Sequence, residues 1–226
     1  MARRGGAAGF AHVTPDLGEH MTEQELMGAL AAGDARVSGT AFRGLELAGV
    51  DASGAVFENA VFNGCVFERV DFSRCVFTDV EFRNCRFIAC RMGRSWLNRV
   101  DFRSCSAPGL AFERGRLTGV AASGCQLSMA NFAETSLSRV RFSSCNLTEA
   151  SFMAAKLSRL ELDDCELAAA SFVRAPLDGV DLSSCRIGGI VVSDSYRELR
   201  GAVIDEFQAI ELVGLLGVRI KGEDDL

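Results

Sequence analysis

The chain has 226 residues and a net charge of −6 at pH 7, with 24 basic and 30 acidic side chains. This length suffices for one domain with a substantial core, and the acidic charge argues against general affinity for nucleic acids. Phenylalanine occurs sixteen times and glycine twenty-three times, whereas tryptophan and tyrosine occur once each. Such a composition is not typical of a globular enzyme.

Residues 1–39 precede any regular pattern, and we expect them to form an N-terminal extension with a capping helix. The segment lacks the apolar run of a signal peptide, and no stretch of the chain reaches the apolar length of a membrane span. We therefore expect a cytoplasmic protein. Thr22 and Glu25 form a capping-box pattern, which predicts a short amphipathic helix ending near Gly33.

A period of five residues governs residues 40–195, which we expect to form the repeat domain. Every fifth residue from Phe42 to Val192 is apolar: fourteen Phe, eleven Leu, three Ala, and one Ile, one Val and one Met. We call these the large core positions. The residue two before each of them, the small core position, is mostly Cys, Val or Ala, and all nine cysteines lie there. A period of five fits neither a helix nor a flat strand, so the chain must turn a corner in every unit.

Four such units form a square coil of twenty residues, and stacked coils can pair their backbones as strands do. The stretches FENAVFNGCVFERVDF and SSCNLTEASF resemble the A-(D/N)-L-x-x pattern of pentapeptide-repeat proteins. The resemblance covers residues 40–192. It implies an all-β solenoid, namely a right-handed quadrilateral β-helix of about eight coils with short terminal helices. Small residues at Ala107 and Ala122, together with Pro108, lead us to expect the least regular coils between residues 105 and 125.

Seven of the cysteines are spaced twenty residues apart or at multiples of twenty, so the coil places them in one column. A metal site needs converging ligands, usually with histidine, and both histidines lie outside the repeat. Parallel Cβ vectors in one column also disfavour disulfides. We therefore expect the cysteines to be small buried hydrophobes, with no metal and no cofactor. A cysteine-based redox or metal protein is the alternative, and it would require labile thiols.

We expect no enzymatic activity, because a filled solenoid offers no cleft in which polar groups converge. The repeat contains no histidine, nucleophile elbow or phosphate-binding loop. Several acidic residues stand just before a large core position, and we expect them to hydrogen-bond to local turns. Among them are Asp71, Asp101, Glu161 and Asp181.

The charge is unevenly distributed along the repeat. Residues 40–145 carry a net charge of +3, whereas residues 146–195 carry −4. A ridge of carboxylates on a rod can imitate the phosphate charges of duplex DNA. We therefore take the acidic residues of the second half as a candidate partner-binding surface, the acidic surface: Glu149, Glu161, Asp163, Asp164, Glu166, Asp178 and Asp181.

A second candidate surface lies in the basic half. The period places Trp96 outside the core and among arginines, and such residues are enriched in interface hot spots. The Trp96 patch consists of Trp96, Arg91, Arg94 and Arg99. It supports the alternative that the protein is an interaction scaffold with an unrelated partner.

Residues 196–226 follow the repeat, and we expect a capping and dimerisation helix with a tail. Asp205 is a suitable N-cap for a helix that Gly217 stops. The segment GAVIDEFQAIELVGLLGVRIKG resembles the terminal segment of the Qnr proteins, and that resemblance implies a two-fold homodimer joined at this end. The dimer residues would be Phe207, Ile210, Leu212, Val213, Leu215 and Leu216.

The resemblance to the Qnr and MfpA subgroup also implies a function. Such a protein is a non-enzymatic DNA mimic that binds a type II topoisomerase, DNA gyrase or topoisomerase IV, and modulates it. Quinolone resistance is the implied phenotype, and direct binding to nucleic acid or membranes is not expected. The absence of interrupting loops makes the chain more similar to MfpA than to Qnr, and leaves inhibition and protection of the enzyme both open.

Overall fold

The computed structural model describes residues 9–14, 17, 21–33 and 35–219. Residues 1–8 of the predicted extension and residues 220–226 of the predicted tail lie outside them. The described residues contain two α-helices, α1 (Glu23–Ala32) and α2 (Glu206–Leu215), neither of which is long and apolar enough to span a membrane. They also contain ten strands: β1 (Arg36–Arg43), β2 (Glu46–Ala48), β3 (Val56–Asn63), β4 (Val66–Glu68), β5 (Val76–Arg83), β6 (Arg86–Ile88), β7 (Trp96–Arg103), β8 (Arg116–Ser123), β9 (Ser136–Ser143) and β10 (Lys156–Asp163).

Each strand pairs in parallel with a strand whose residues are twenty positions away. The long strands form a seven-stranded sheet in the order β1-β3-β5-β7-β8-β9-β10, and the short strands form a second sheet, β2-β4-β6. Isolated parallel bridges continue the same spacing elsewhere, for example between Asp71 and Arg91. The predicted fold, an all-β solenoid with a right-handed quadrilateral coil, is confirmed.

The number of coils is slightly lower than the predicted eight when it is counted by strands. The first strand begins at Arg36 and the last at Lys156, which corresponds to about six turns of twenty residues. Beyond Asp163 the pairing persists only as single bridges, such as the one between Glu166 and Arg186. The division of the chain into three parts at residues 39 and 195 stays a prediction.

We number the four faces of the rod by the large core residue that each carries. In one turn these residues are Phe142 on face 1, Leu147 on face 2, Phe152 on face 3 and Leu157 on face 4. A long strand such as β10 covers face 4 and the next face 1, because it contains both Leu157 and Leu162 and turns the corner between them. Faces 1 and 4 therefore share the larger sheet.

Stacked phenylalanine rings fill much of the core. The ring centroids of Phe62 and Phe82 are 5.1 Å apart with nearly parallel planes, and those of Phe152 and Phe172 are 4.8 Å apart. Rings on adjacent faces meet edge to face, as Phe82 and Phe87 do at 5.4 Å. Such ring pairs contribute about 0.5–1.5 kcal/mol each beyond the burial of their area.

The corners of the coil require a left-handed backbone. Between Asn59 and Arg174, twenty residues other than glycine have φ angles from 50° to 60°, each two residues after a large core position. This conformation costs a non-glycine residue about 1 kcal/mol. The parallel ladder offsets the cost, since it satisfies the backbone N–H and C=O groups of each coil.

On face 2 the short strands of the second sheet end with β6, and from Ala107 onward a tight turn replaces them. The N–H of Leu110 donates to the carbonyl of Ala107 at 3.2 Å, and Pro108 and Gly109 (φ +67°) occupy the two central positions. This is the sequence that a type II turn favours. Strands β7, β8 and β9 keep the twenty-residue register through the same region. The irregularity predicted for residues 105–125 is therefore limited to a change of turn type on face 2, since the strands on faces 4 and 1 keep their register.

Helices close both ends of the rod. At α1, the Thr22 side chain accepts from the Glu25 N–H in the predicted capping box, and Leu26 and Leu30 are buried against the core. At α2, Asp205 and Gln208 form a second capping box. The buried Gln208 amide also donates to the carbonyls of Leu182 and Cys185 at 2.7 and 2.6 Å, and so satisfies backbone groups of the last coil.

Candidate protein-interaction surfaces

The acidic surface lies near the C-terminal end of the rod and extends over more than one face. Six of its seven carboxylates are exposed, and Glu166 is half-buried. Glu161, Asp163, Asp164 and Asp181 stand on face 1 or at its edge, while Glu149 and Glu166 stand on face 2 and Asp178 precedes the corner to face 1. The register of β10 against β9 fixes these positions, since Glu161 lies beside Arg141 and Asp163 beside Ser143.

Two of these carboxylates have arginine partners. The Arg141 Nε donates to Glu161 at 2.6 Å, and an Arg186 nitrogen lies 3.2 Å from Glu166. Asp164 accepts from the Ser144 hydroxyl at 3.2 Å. Of the seven members of the acidic surface, five therefore have no arginine or lysine partner within residues 35–219: Glu149, Asp163, Asp164, Asp178 and Asp181.

The acidic residues that precede large core positions have different hydrogen-bond partners. Asp71 and Asp181 accept from the backbone N–H two residues later, at 2.9 Å, so the predicted local turn bond is confirmed for these two. Hydrogen bonds from the Ser183 hydroxyl and N–H lower the pKa of Asp181. For Asp101 and Glu161 the prediction is wrong. Asp101 accepts from the N-terminal segment, and Glu161 pairs with Arg141.

The apolar residues of the C-terminal end divide between two sides of α2. Leu212 and Leu215 pack against the core of the rod, and Val213 is half-buried. Phe207, Ile210 and Leu216 face outward, with 71%, 54% and 59% of their surface exposed. The outer side of α2 therefore presents an apolar patch next to the acidic surface. Use of these residues in a dimer stays a prediction.

The Trp96 patch carries less positive charge than its three arginines indicate, because two of them are ion-paired. The indole is 48% exposed and lies between Val76 and Arg116 in the strand register. Arg91 pairs with Asp71 at 2.7 Å, and Arg99 makes two bonds to Asp79 at 2.7 and 2.5 Å. Arg94, by contrast, is exposed and has no ion pair within residues 35–219.

Sequence reasoning missed an N-terminal segment, residues 9–14, that lies along the corner between faces 4 and 1. The N–H of Phe10 donates to Asp101 at 2.8 Å, that of His12 to Asp79 at 3.0 Å, and that of Thr14 to Asn59 at 2.9 Å. The one signal in the sequence was Phe10, which with Phe207 lies outside the five-residue period. This ring lies 5.3 Å from the Arg141 guanidinium, so the segment reaches the edge of the acidic surface.

All nine cysteines are buried and free, as predicted for packing residues. Their thiols lie near backbone carbonyls of the preceding coil, for example Cys75 near Ala52 at 3.0 Å. Burial raises the pKa of Cys75 to about 12 and also raises the pKa of Cys90. Among the described residues, no group of three or more His, Cys, Asp or Glu side chains is placed to hold a metal ion.

A family model described as "Pentapeptide repeat region" matches residues 55–132 and 116–192, and the two matches together span more than half of the chain. The chain belongs to the pentapeptide-repeat family. The five-residue period and its two inward positions are thus the family's own pattern. No curated protein matches the sequence.

Solved structures with a similar fold include two pentapeptide-repeat proteins. A trypsin-treated variant of QnrB1, described as a plasmid-mediated fluoroquinolone resistance protein, is 22% identical, with 83% of this chain and 92% of that chain covered and a TM-score of 0.44. HetL, described as involved in heterocyst differentiation regulation in the cyanobacterium Nostoc sp. strain PCC 7120, is 18% identical. The alignment covers 83% of this chain and 98% of HetL, with a TM-score of 0.36.

Proposed function

We propose that the protein is a non-enzymatic DNA mimic, which binds a type II topoisomerase such as DNA gyrase through the acidic surface and modulates it. The observation that carries this proposal is a set of five exposed carboxylates without cationic partners in the last coils of the rod. Three of them, Asp163, Asp164 and Asp181, lie on face 1 or at its edge. Of the four basic residues in the same segment, Lys156, Arg159 and Arg174 lie on face 4 or at the corners flanking it, and Arg186 on face 2 is paired with Glu166.

The linear charge density of the acidic surface supports mimicry of DNA. Residues 149 and 181 are separated by roughly 1.6 coils, or about 8 Å of rod at ~4.8 Å per coil. Seven acidic and three basic side chains lie in that stretch, so its net charge is −4. This corresponds to about one charge per 2 Å, and duplex DNA carries about one per 1.7 Å of axis. A cationic channel that accepts duplex DNA would therefore meet a negative charge of comparable density on this rod.

A two-fold dimer through the outer side of α2 would extend the acidic surface. Phe207, Ile210 and Leu216 supply the apolar contact, and Gly214 has open space around it that permits close approach of a second helix. The acidic halves of the two copies would then meet at the centre of a rod about twice as long. The resemblance of this terminal segment to that of the Qnr proteins supports the same arrangement.

A supercoiling assay with purified gyrase tests the proposal. We expect the chain at micromolar concentration to inhibit supercoiling in the absence of drug, or to restore activity in the presence of a quinolone. Either outcome identifies the direction of the effect. Unchanged activity under both conditions would contradict the proposal.

Matched charge variants separate the acidic surface from the net charge of the chain. The triple variant Asp163→Asn, Asp164→Asn, Asp178→Asn removes three exposed charges from the acidic surface. The control triple Glu46→Gln, Asp51→Asn, Glu58→Gln removes the same charge from exposed sites in the other half. We expect a loss of gyrase effect of at least about tenfold only in the first variant, since rim charges distant from the contact contribute little.

An interaction scaffold with an unrelated partner is the second candidate, and the exposure of Trp96 favours it. A large exposed aromatic residue beside Arg94 and Arg116 has the composition of a contact site. Trp96→Ala would then abolish capture of the partner and leave the effect on gyrase unchanged. If Trp96→Ala instead weakens the effect on gyrase, the scaffold hypothesis loses its support.

A further inference from the structure

We propose that the corner beneath residues 9–14 is a peptide-binding groove, which the chain's own N-terminal segment occupies. Its ligand would be an extended peptide of a partner protein that carries a glycine followed by an aromatic residue. The site borders the acidic surface at Arg141, but the proposal stands independently of topoisomerase binding. Three features of the contact carry it.

The first feature is a ladder of side-chain acceptors for backbone N–H groups. Asn59, Asp79 and Asp101 lie on successive coils, and they accept from the N–H groups of Thr14, His12 and Phe10. Every second residue of the segment is thus held, by side chains where a sheet edge would use its backbone. The Ala11 N–H also lies 3.4 Å from Asp101, and the Asn59 amide donates to the Thr14 hydroxyl at 2.8 Å. The N–H contacts recognise an extended main chain.

The acceptors are oriented before any peptide binds, and the groove carries little net charge. Arg99 makes two hydrogen bonds to Asp79, and Arg103 donates to Asp101 at 3.1 Å. Each carboxylate of the ladder therefore has an arginine partner of its own. Such neutralised carboxylates suit the uncharged N–H groups of a peptide better than they suit a strongly cationic or anionic ligand.

The second feature is the shape of the groove at Gly9 and Phe10. A Cβ at Gly9 would lie 1.6 Å from the Asp101 Oδ2, so any other residue requires the Asp101 carboxylate to leave its bond to the Phe10 N–H. The Phe10 ring lies against Gly119, at 3.7 Å from where a Cβ would be, and near the Arg141 guanidinium. The ladder supplies general affinity, and this pair of positions supplies selection for a glycine followed by an aromatic residue.

The third feature is space that the N-terminal segment leaves unfilled. A cavity of about 270 Å³ lies beside Val13, and its wall includes Phe42, Val61, Glu81 and Arg83. A peptide with a larger apolar residue in place of Val13 has room to extend into this cavity.

A covalently attached segment outcompetes a dilute free peptide, because its effective concentration is in the millimolar range. The intact chain should consequently bind added peptide only when its own segment is released. The substitution Gly9→Ala in the full-length chain should release the N-terminal segment from the groove. Gly28→Ala is the control, since a Cβ at Gly28 meets nothing within 4 Å.

The experiment combines amide hydrogen exchange with fluorescence anisotropy of a labelled peptide that carries residues 9–14. In the Gly9→Ala chain we expect the amides of Phe10, His12 and Thr14 to exchange at least about tenfold faster than in the unaltered chain. The labelled peptide should bind this variant and neither the unaltered chain nor Gly28→Ala. A peptide with Phe10→Ala should bind at least about tenfold more weakly, and one with Val13→Leu about threefold more tightly.

Three results would overturn the proposal. Amides that stay protected in the Gly9→Ala chain would show that the shape match at Asp101 is not required. Failure of the released chain to bind the peptide would show that the segment is a covalent strap only. Equal binding of the Phe10→Ala peptide would show that the groove does not select the aromatic residue.

Discussion

In residues 40–145, six of the ten carboxylates are ion-paired to arginine, whereas in residues 146–195 only two of the eight are. The N-terminal half also has the second sheet, the denser phenylalanine stack and the covering segment 9–14. The C-terminal half uses mostly leucine and alanine inside and leaves its carboxylates exposed. Because inward residues alone determine the coil, the outward residues of each half are free to serve different purposes.

The largest expected difference between the halves lies in the core of face 1. Phe82 is buried and stacked on Phe62 and Phe102, so Phe82→Ala should reduce the free energy of unfolding by about 3–5 kcal/mol. Leu162, the second-to-last residue of β10, occupies the equivalent position, and Leu162→Ala should cost about 2–3 kcal/mol. Urea denaturation measures both, and an equal loss would show that the phenylalanine stack does not strengthen the N-terminal half.

The C-terminal half depends on its helical cap. Gln208→Ala removes the amide that donates to the carbonyls of Leu182 and Cys185, and leaves both without that partner. We expect a loss of about 1–3 kcal/mol in the free energy of unfolding. The exposed Gln24→Ala in α1 is the control and should change the stability by less than about 0.5 kcal/mol. A neutral Gln208→Ala would mean that α2 does not hold the last coil.

Acid should loosen the two halves at different places. At Asp79, burial raises the pKa but hydrogen bonds from Arg99 and from the His12 N–H outweigh it, so the pKa lies below its usual 3.8. Because the pKa of Asp79 is lower in the folded state, its ionised carboxylate stabilises the fold at pH values above 3.8. This stabilisation is lost as the pH falls through the lowered pKa of the folded state. Below about pH 4, the protection of the His12 amide relative to an unfolded peptide at the same pH should therefore decrease, and Asp79→Asn should remove this pH dependence.

The pKa of Glu198, which lies under the last coil, is also lowered, so stability at this end should likewise fall with decreasing pH. Burial raises its pKa, but hydrogen bonds from the Arg174 N–H and the Ser193 hydroxyl, at 2.7 and 2.8 Å, lower it below 4.5 overall. Thermal unfolding should show the C-terminal end losing stability as the pH falls below that value. In Glu198→Gln this part of the pH dependence should be absent, and its persistence would assign acid sensitivity to another group.

The smallest expected effect concerns two arginines at equivalent corners. Arg159 (φ 58°) has no ion pair within residues 35–219, so Arg159→Gly should relieve backbone strain and change the stability by less than about 1 kcal/mol in the favourable direction. Arg99 (φ 54°) holds Asp79 with two hydrogen bonds, and Arg99→Gly should be destabilising. Equal changes in the melting temperature of the two variants would show that the ion pair of Arg99 contributes no stability that Arg159 lacks.

The fold could be predicted because the five-residue period is local. Each Phe, Leu or Cys at its core position has the same environment as the residue twenty positions away, so one rule places the whole core and all nine cysteines. The same register brings Asp79 beside Arg99 and Asp71 beside Arg91, and these pairs could have been found from the spacing. The coil count was slightly high, because single bridges replace strands after Asp163.

The contact of the N-terminal segment could not be predicted, because it depends on no repeated spacing. It requires Gly9 to pass Asp101 and Phe10 to meet Gly119, two matches between distant parts of the chain. A buried Asp101 was consequently assigned to a local turn bond that it does not make. Likewise, the sequence placed six apolar residues of the C-terminal segment in one group, and helix packing separates Leu212 and Leu215 from Phe207 and Ile210.

The salt dependence of binding to gyrase tests most directly whether the exposed carboxylates imitate DNA. Affinity of the unaltered chain should fall steeply with salt, and the slope of log affinity against log salt should decrease by roughly one for each contact removed in Asp163→Asn, Asp164→Asn, Asp178→Asn. The control triple Glu46→Gln, Asp51→Asn, Glu58→Gln should keep the original slope. Absence of binding, or equal slopes for the two triple variants, would contradict the account.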